Sequence, residues 1–358
     1  MAYQSRELTL RKLDEYLERS RKRGRLMLPA ERELAVELGC GRGNVRELLA
    51  EKEALGEIVK KSRGRALSIH KVTGGKVVGN FAFVSGGDGM IGNPAWAKLW
   101  SRVQDLSAPA GLGAELILAS YHDDLDEVLR RVADGPETMV FANSSCREQT
   151  ERILALPGKR FVVLDEQHAS PDVDLVTVDN YEAGKLAAHQ LKAHGYRKPA
   201  LVCQDMQQDG AVYKMFARRA AGFRDGCRSA GLDFGPESEI WYRAQNALQC
   251  VVRLIRMAAE LRSRGFDSVF LHTDEQAPYL YQALLEEGER IPEEMGLVTV
   301  NSFNLALNHQ PRIASVSHAT NGVAERLVAE LKRIFVSGGG RIGNVFVKPS
   351  FHEGGTLK

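Results

Sequence analysis

The chain has 358 residues, 44% hydrophobic and 26% charged, with 48 Lys and Arg against 46 Asp and Glu. That is enough for two or three domains with buried cores, and it excludes a disordered polyelectrolyte or a stapled mini-protein. No window approaches the ~18 consecutive apolar residues that cross a bilayer, and the N-terminus carries no apolar secretion segment, so a cytoplasmic protein without membrane association is expected. Five cysteines without a CxxC pair give neither a disulfide framework nor a zinc cluster.

The near-neutral total conceals a partition. Residues 1–71 carry 17 Lys and Arg against 11 Asp and Glu, a net of +6, leaving 31 against 35, a net of −4, in residues 72–358. A basic head suits a phosphate backbone, although solvated surfaces are also often basic. Leu10, Leu13 and Leu17 recur at helical spacing, and the run RSRKRGR ends this first helix near Gly24. A second helix follows Pro29, with Leu34, Ala35 and Leu38 as its apolar stripe and Gly39 as its stop.

The third helix starts near Arg42 and gathers Val45, Leu48 and Leu49 on one side. Arg46 lies about 40° around the helix from Arg42, so both guanidiniums project from the exposed face. A helix, a short turn and a second helix is the arrangement that enters a major groove; otherwise these are two solvated arginines. The following IVKKSRGRALSI has two β-prone runs around residues 62–64, a basic hairpin whose Gly64 permits close approach to a partner.

The stretches LPAERELAVELGCGRGNVRELL and KSRGRA resemble the winged helix-turn-helix of the gluconate-repressor (GntR) family. The resemblance implies a DNA-binding domain over residues 1–70, with Arg32, Arg42, Asn44, Arg46, Arg63, Gly64 and Arg65 as DNA contacts, and a linker over 71–76. Ala30 departs from the usual N-cap Ser, a change typically worth about 1 kcal/mol. Gly41 and Gly43 replace small hydroxyl residues.

From residue 77 short apolar runs alternate with helical patterns: KVVGNFAFV, AELILA, TMVFA, RFVVL, DLVTV, KPALVC, EIWY, DSVFLH, GLVTV and NVFV. Continuous apolar strands between helices predict an α/β body with parallel sheets covered on both faces. Its length favours two lobes, with a ligand cleft beyond the strands' carboxyl ends. The expected lobes are about 77–195 with 309–337, and 196–308 with 338–358. Residues 87–92 match GxGxxG, but Asn93-Pro94 interrupts the helix that a dinucleotide site needs. On the next helix Trp100 reads as core, while Trp96 is either core or a surface for stacking a sugar ring.

The stretches VTVDNYEAGKLAAHQLKAHGYRKPALV, RRAAGF, DSVFLHTDEQA, GERIPEEMGLVTVNSF and IASVSHATNGVAERLVAEL resemble, in order, the effector-binding domain of the lactose/galactose repressor family, itself similar to periplasmic sugar-binding proteins. The resemblance implies that Arg219 and Asp274 contact effector hydroxyls. A guanidinium and a carboxylate can clamp vicinal hydroxyls, or they can form an ion pair across the hinge. Asp88, Trp96, Asp179 and Asn301 complete the candidate effector site. Head and body together resemble the arabinose-responsive branch of the GntR family.

No P-loop, HExxH or GxSxG occurs, and the nine histidines are dispersed, so no catalysis, cofactor or metal is expected. The expectation is a ligand-responsive regulator of carbohydrate-utilisation genes, a repressor, binding double-stranded operator DNA as a homodimer and answering to a sugar-derived small molecule. The alternative is a sugar-binding or sugar-metabolising α/β protein with a basic N-terminal interaction module.

Overall fold

The computed structural model describes residues 6–22, 27–54, 57–61, 64–67, 77–86, 94–120, 122–142, 147–205, 207–208, 211–244 and 246–358. The expected linker, Arg63, Asp88 and the GxGxxG stretch lie outside them.

Three helices open the chain: α1 (Arg6–Lys22), α2 (Glu31–Leu38) and α3 (Arg42–Ala54). Leu13 and Leu17 of α1, Leu34 and Leu38 of α2, and Val45, Leu48 and Leu49 of α3 bury one shared core. Gly39 ends α2 at φ 67, a left-handed turn that suits glycine, and its N–H returns to the Ala35 and Val36 carbonyls. Ala30 offers no capping oxygen at the start of α2, yet Glu33 Oε2 accepts the Ala30 N–H at 3.3 Å, so half of the capping box survives. The antiparallel pair β1 (Ile58–Lys61) and β2 (Gly64–Leu67) follows, with Ile58 opposite Leu67 and Lys61 opposite Gly64. Lys52, buried in α3, holds Asp14 of α1 at 2.5 Å and Glu57 before β1 at 3.1 Å, joining three elements.

The body holds two six-stranded sheets. Lobe 1 contains β3 (Gly79–Gly86), α4 (Pro94–Ser107), β4 (Leu112–Ala119), α5 (Leu125–Asp134), β5 (Thr138–Ala142), α6 (Arg147–Leu154), β6 (Arg160–Val163), a short 3-10 turn at Glu166–His168, and β7 (Asp174–Val178). Lobe 2 contains α7 (Asn180–Ala193), β8 (Pro199–Gln204), the small hairpin β9 (Gln207–Gln208) and β10 (Ala211–Val212), α8 (Lys214–Ala230), β11 (Glu239–Tyr242), α9 (Ala247–Ser263), β12 (Ser268–Leu271), α10 (Ala277–Glu286), β13 (Gly296–Asn301), α11 (Leu305–Asn308) and β14 (Ala314–Ser317). The chain then returns to lobe 1 with α12 (Thr320–Ser337) and β15 (Asn344–Val347), and ends on lobe 2 with β16 (Phe351–His352).

The strand orders are β15-β7-β6-β5-β3-β4, all parallel, and β11-β8-β12-β13-β14-β16, parallel except for the last strand. Both faces of each sheet are buried, as parallel strands require. The lobe boundaries differ from those expected. Helix α7 belongs to lobe 2, because Ala183, Ala187, Ala188 and Leu191 pack with Phe270 and Val298. Strand β14 also belongs to lobe 2, through its pairing with β13, and β15 to lobe 1, through β7. The chain therefore changes lobe near residues 179, 318 and 349. Among the described residues, no helix is long and apolar enough to cross a membrane.

Candidate effector cleft and nucleic-acid interface

Six strands, β6, β7, β8, β12, β13 and β14, deliver residues at or just past their carboxyl ends to a cavity of about 280 Å³ between the lobes. This is where open parallel sheets place ligands. Trp96 of α4 and Asp165 after β6 line it from lobe 1; Phe216 and Arg219 of α8, Glu275 after β12 and Phe303 after β13 line it from lobe 2. His318, at the crossover after β14, closes the floor between them.

Among the described residues Arg219 is the largest fully buried side chain. Its Nε donates to Asn180 Oδ1 at 2.9 Å and its Nη1 to the His272 carbonyl at 2.5 Å. Nη2 has no partner. Burial lowers the Arg219 pKa to about 10, which leaves it charged at neutral pH, supported by Glu166, Asp165 and Asp274. Asn180 in turn donates to Glu166 Oε2 at 2.8 Å, so its amide is fixed between an acceptor and a donor. Burial, reinforced by Arg219, holds His272 and His318 down to about 3, so both rings are neutral around pH 7.

Of the remaining expected effector residues, Asp88 lies outside the described residues, and Asp179, Asp274 and Asn301 do not line the cavity. Asp274 is corrected: its Oδ1 accepts the Ser302 and Phe303 N–H groups at 2.9 Å, and its Oδ2 those of Leu305 and Ala306 at 2.8 and 3.3 Å. It is fully buried and braces the loop before α11, so it has no oxygen left for a hydroxyl clamp. Asp179 caps α7 by accepting the Glu182 N–H at 3.1 Å. Asn301 is buried and donates to Asn304 Oδ1 at 3.2 Å. Trp96 does line the cavity, whereas Trp100 is core, tilted against Phe83 with ring centroids 5.2 Å apart. Sequence reasoning passed over Asp165, Phe216 and Glu275. The readable signal was their place just beyond, or one turn into, elements that follow β6, β8 and β12. Among the described residues no cluster could hold a metal ion.

In the head, one carboxylate gathers three arginines. Glu31 Oε2 accepts from Arg42 Nε at 3.4 Å and Arg46 Nε at 3.1 Å, and its Oε1 from Arg65 Nη1 at 2.9 Å. Arg46 first, then Arg65, pushes Glu31 down to about 2. Arg65 also binds Glu53 at 2.5 Å and is mostly enclosed, so it ties β2 to α2 and α3. The Arg42 and Arg46 side chains stay 63% and 61% exposed. Both guanidiniums thus remain open to solvent although each reaches Glu31. Arg32 is exposed and Asn44 half-buried on the same pair of helices, and Gly64 opens β2.

Residues 188–357 match the model of the periplasmic binding protein-like domain family. Over 175 residues the chain is 27% identical to catabolite control protein A of Streptococcus mutans, covering 47% of each. It is 20% identical over 257 residues to the PurR repressor of Histophilus somni, covering 68% of this chain and 72% of that one. The match thus spans about half the length of the first of these relatives. A LacI family regulator from Enterococcus faecium with bound ribose superposes with a TM-score of 0.60 at 20% identity, covering 77% of this chain and 98% of that one. The regulator CelR in complex with cellobiose gives 0.64 at 15%, covering 92% and 100%. From β3 onward, then, the chain has the α/β fold of these regulators, two sheets of mostly parallel strands, and within it residues 188–357 match the periplasmic binding protein-like domain.

Proposed function

We propose that this protein is an effector-responsive transcription regulator, a repressor of carbohydrate-utilisation genes. Residues 1–70 act as a winged helix-turn-helix head of the GntR type, and the body senses a sugar in its inter-lobe cleft. The supporting observation is the exposed pair Arg42 and Arg46 on α3, one three-residue turn after α2 and beside the β1–β2 hairpin, in a chain whose other part has a ligand-sized cleft. Matches to sugar-bound regulators of the same fold favour a sugar effector. A homodimer would set two α3 helices about one duplex turn, ~34 Å, apart on a two-fold operator.

Fluorescence anisotropy with the DNA upstream of the protein's own gene tests this. Binding should weaken steeply with salt, and Arg46→Ala should cost more than about 1 kcal/mol. Equal affinity of wild type and variant for that DNA would refute the assignment of α3.

A further inference from the structure

The polar groups of the cleft restrict the charge of its ligand, a deduction that rests on the sensor reading above. Arg219 brings one guanidinium, with Nη2 unpartnered. Two carboxylates, Asp165 and Glu275, line the same cavity. Glu166 and Asp274 stand close enough behind to act on the Arg219 charge, so that cation is partly offset. Partial burial, and secondarily the nearby Asp274 charge, push Glu275 up. His272 and His318, held neutral, add no positive charge.

A phosphate or carboxylate entering this cavity meets one partly offset cation and two carboxylates. An ammonium group meets the unpartnered N–H donor of Arg219. A hydroxyl donates to a carboxylate and accepts from a guanidinium, so a ring bearing several hydroxyls satisfies both kinds of wall group at once. The apolar part of the lining suits such a ring. Trp96 comes from lobe 1, Phe216 and Phe303 from lobe 2, and aromatic faces from both lobes can cover its C–H faces.

We propose that the cleft selects an uncharged sugar and rejects the matching sugar acids and sugar phosphates, with Asp165 and Glu275 as the residues that set this preference. Isothermal titration of the full-length protein with matched sets tests it: glucose, galactose, ribose and arabinose, each beside its uronic or aldonic acid and its phosphate ester, with adenine as a hydrogen-bonding ring that is not a sugar. At least one neutral sugar should bind, with its acid and phosphate roughly tenfold or more weaker. Glu275→Gln, and independently Asp165→Asn should the first variant misfold, should narrow that gap several-fold. An acid or phosphate binding as tightly as its neutral parent, adenine binding more tightly than every sugar, or an unchanged gap in the folded variants overturns the proposal. Silence from the whole panel is a different result, and overturns the sugar-sensor reading on which it rests.

Discussion

Asp274 shows how one carboxylate's role is decided by what folds over it. Charge-assisted hydrogen bonds to backbone N–H groups are worth roughly 1.5–3 kcal/mol each when removal strands the donors. Four N–H groups from the loop around α11 converge on Asp274. Asp274→Ala should therefore lower unfolding stability by about 3 kcal/mol or more, measured by urea denaturation, and a midpoint equal to wild type would contradict the bracing role. The sequence placed Asp274 just beyond β12, where ligand contacts are common. It could not show that the loop after β13, about 30 residues away, consumes both oxygens. Arg219 was reached through the resemblance of RRAAGF, and the structure sets it in the cavity lining. The same limit applied to Asp179, whose N-cap duty is local and readable, but whose distance from the cavity is set by the crossover between lobes.

At the scale of elements, the strands were legible because parallel strands buried on both faces are continuous apolar runs. The ten expected segments correspond to β3 to β8, β11 to β13 and β15. Strand β14, with the sequence ASVS, lacks that signature although it lies inside the lobe 2 sheet. The placement of α7 was hidden for a related reason: apart from Asn180 and Leu191 its buried face is alanine and glycine, too small to announce which sheet it covers. Those small residues let α7 and α8 touch backbone to backbone. A Cβ on Gly222 would lie 1.9 Å from the Tyr181 carbonyl oxygen, and one on Gly184 2.0 Å from that of Arg219. Gly222→Ala must push the helices apart, which displaces Arg219 one turn earlier on α8. We expect a loss of about 3 kcal/mol, at the upper end of overpacking costs, together with weakened effector binding. A variant with wild-type stability would show that the two helices are free to separate.

Across the whole molecule, the partition of charge between head and body could be counted directly, and the two-lobed body followed from strand number. The crossings between lobes could not, since they depend on which sheet edge each late strand joins. Those crossings bring Arg218 of lobe 2 against lobe 1. Its Nε lies 2.8 Å from Glu166 Oε1, and its guanidinium sits 5.2 Å from the centroid of the Phe346 ring on β15. Glu166 is buried, and that burial raises its pKa despite Asn180 and Arg218. A carboxyl group with a raised folded-state pKa binds its proton more tightly folded than unfolded. Its ionisation therefore withdraws stability as pH climbs from the unfolded value of 4.5 through the folded one. Arg218 limits that withdrawal. Arg218→Met keeps much of the contact with Phe346 and removes the charge, leaving the buried Glu166 carboxylate with the Asn180 amide but without its salt-bridge partner. Arg218 is itself 44% exposed, so the cost at pH 7 should be about 1–3 kcal/mol, below that of a fully buried pair. It should shrink as pH falls from 7 to the unfolded value of 4.5, because protonated Glu166 needs no counter-charge. Urea unfolding of wild type and Arg218→Met at both pH values measures the difference, and a cost that is constant or grows on acidification would remove Glu166 and Arg218 from the contacts that hold the lobes together.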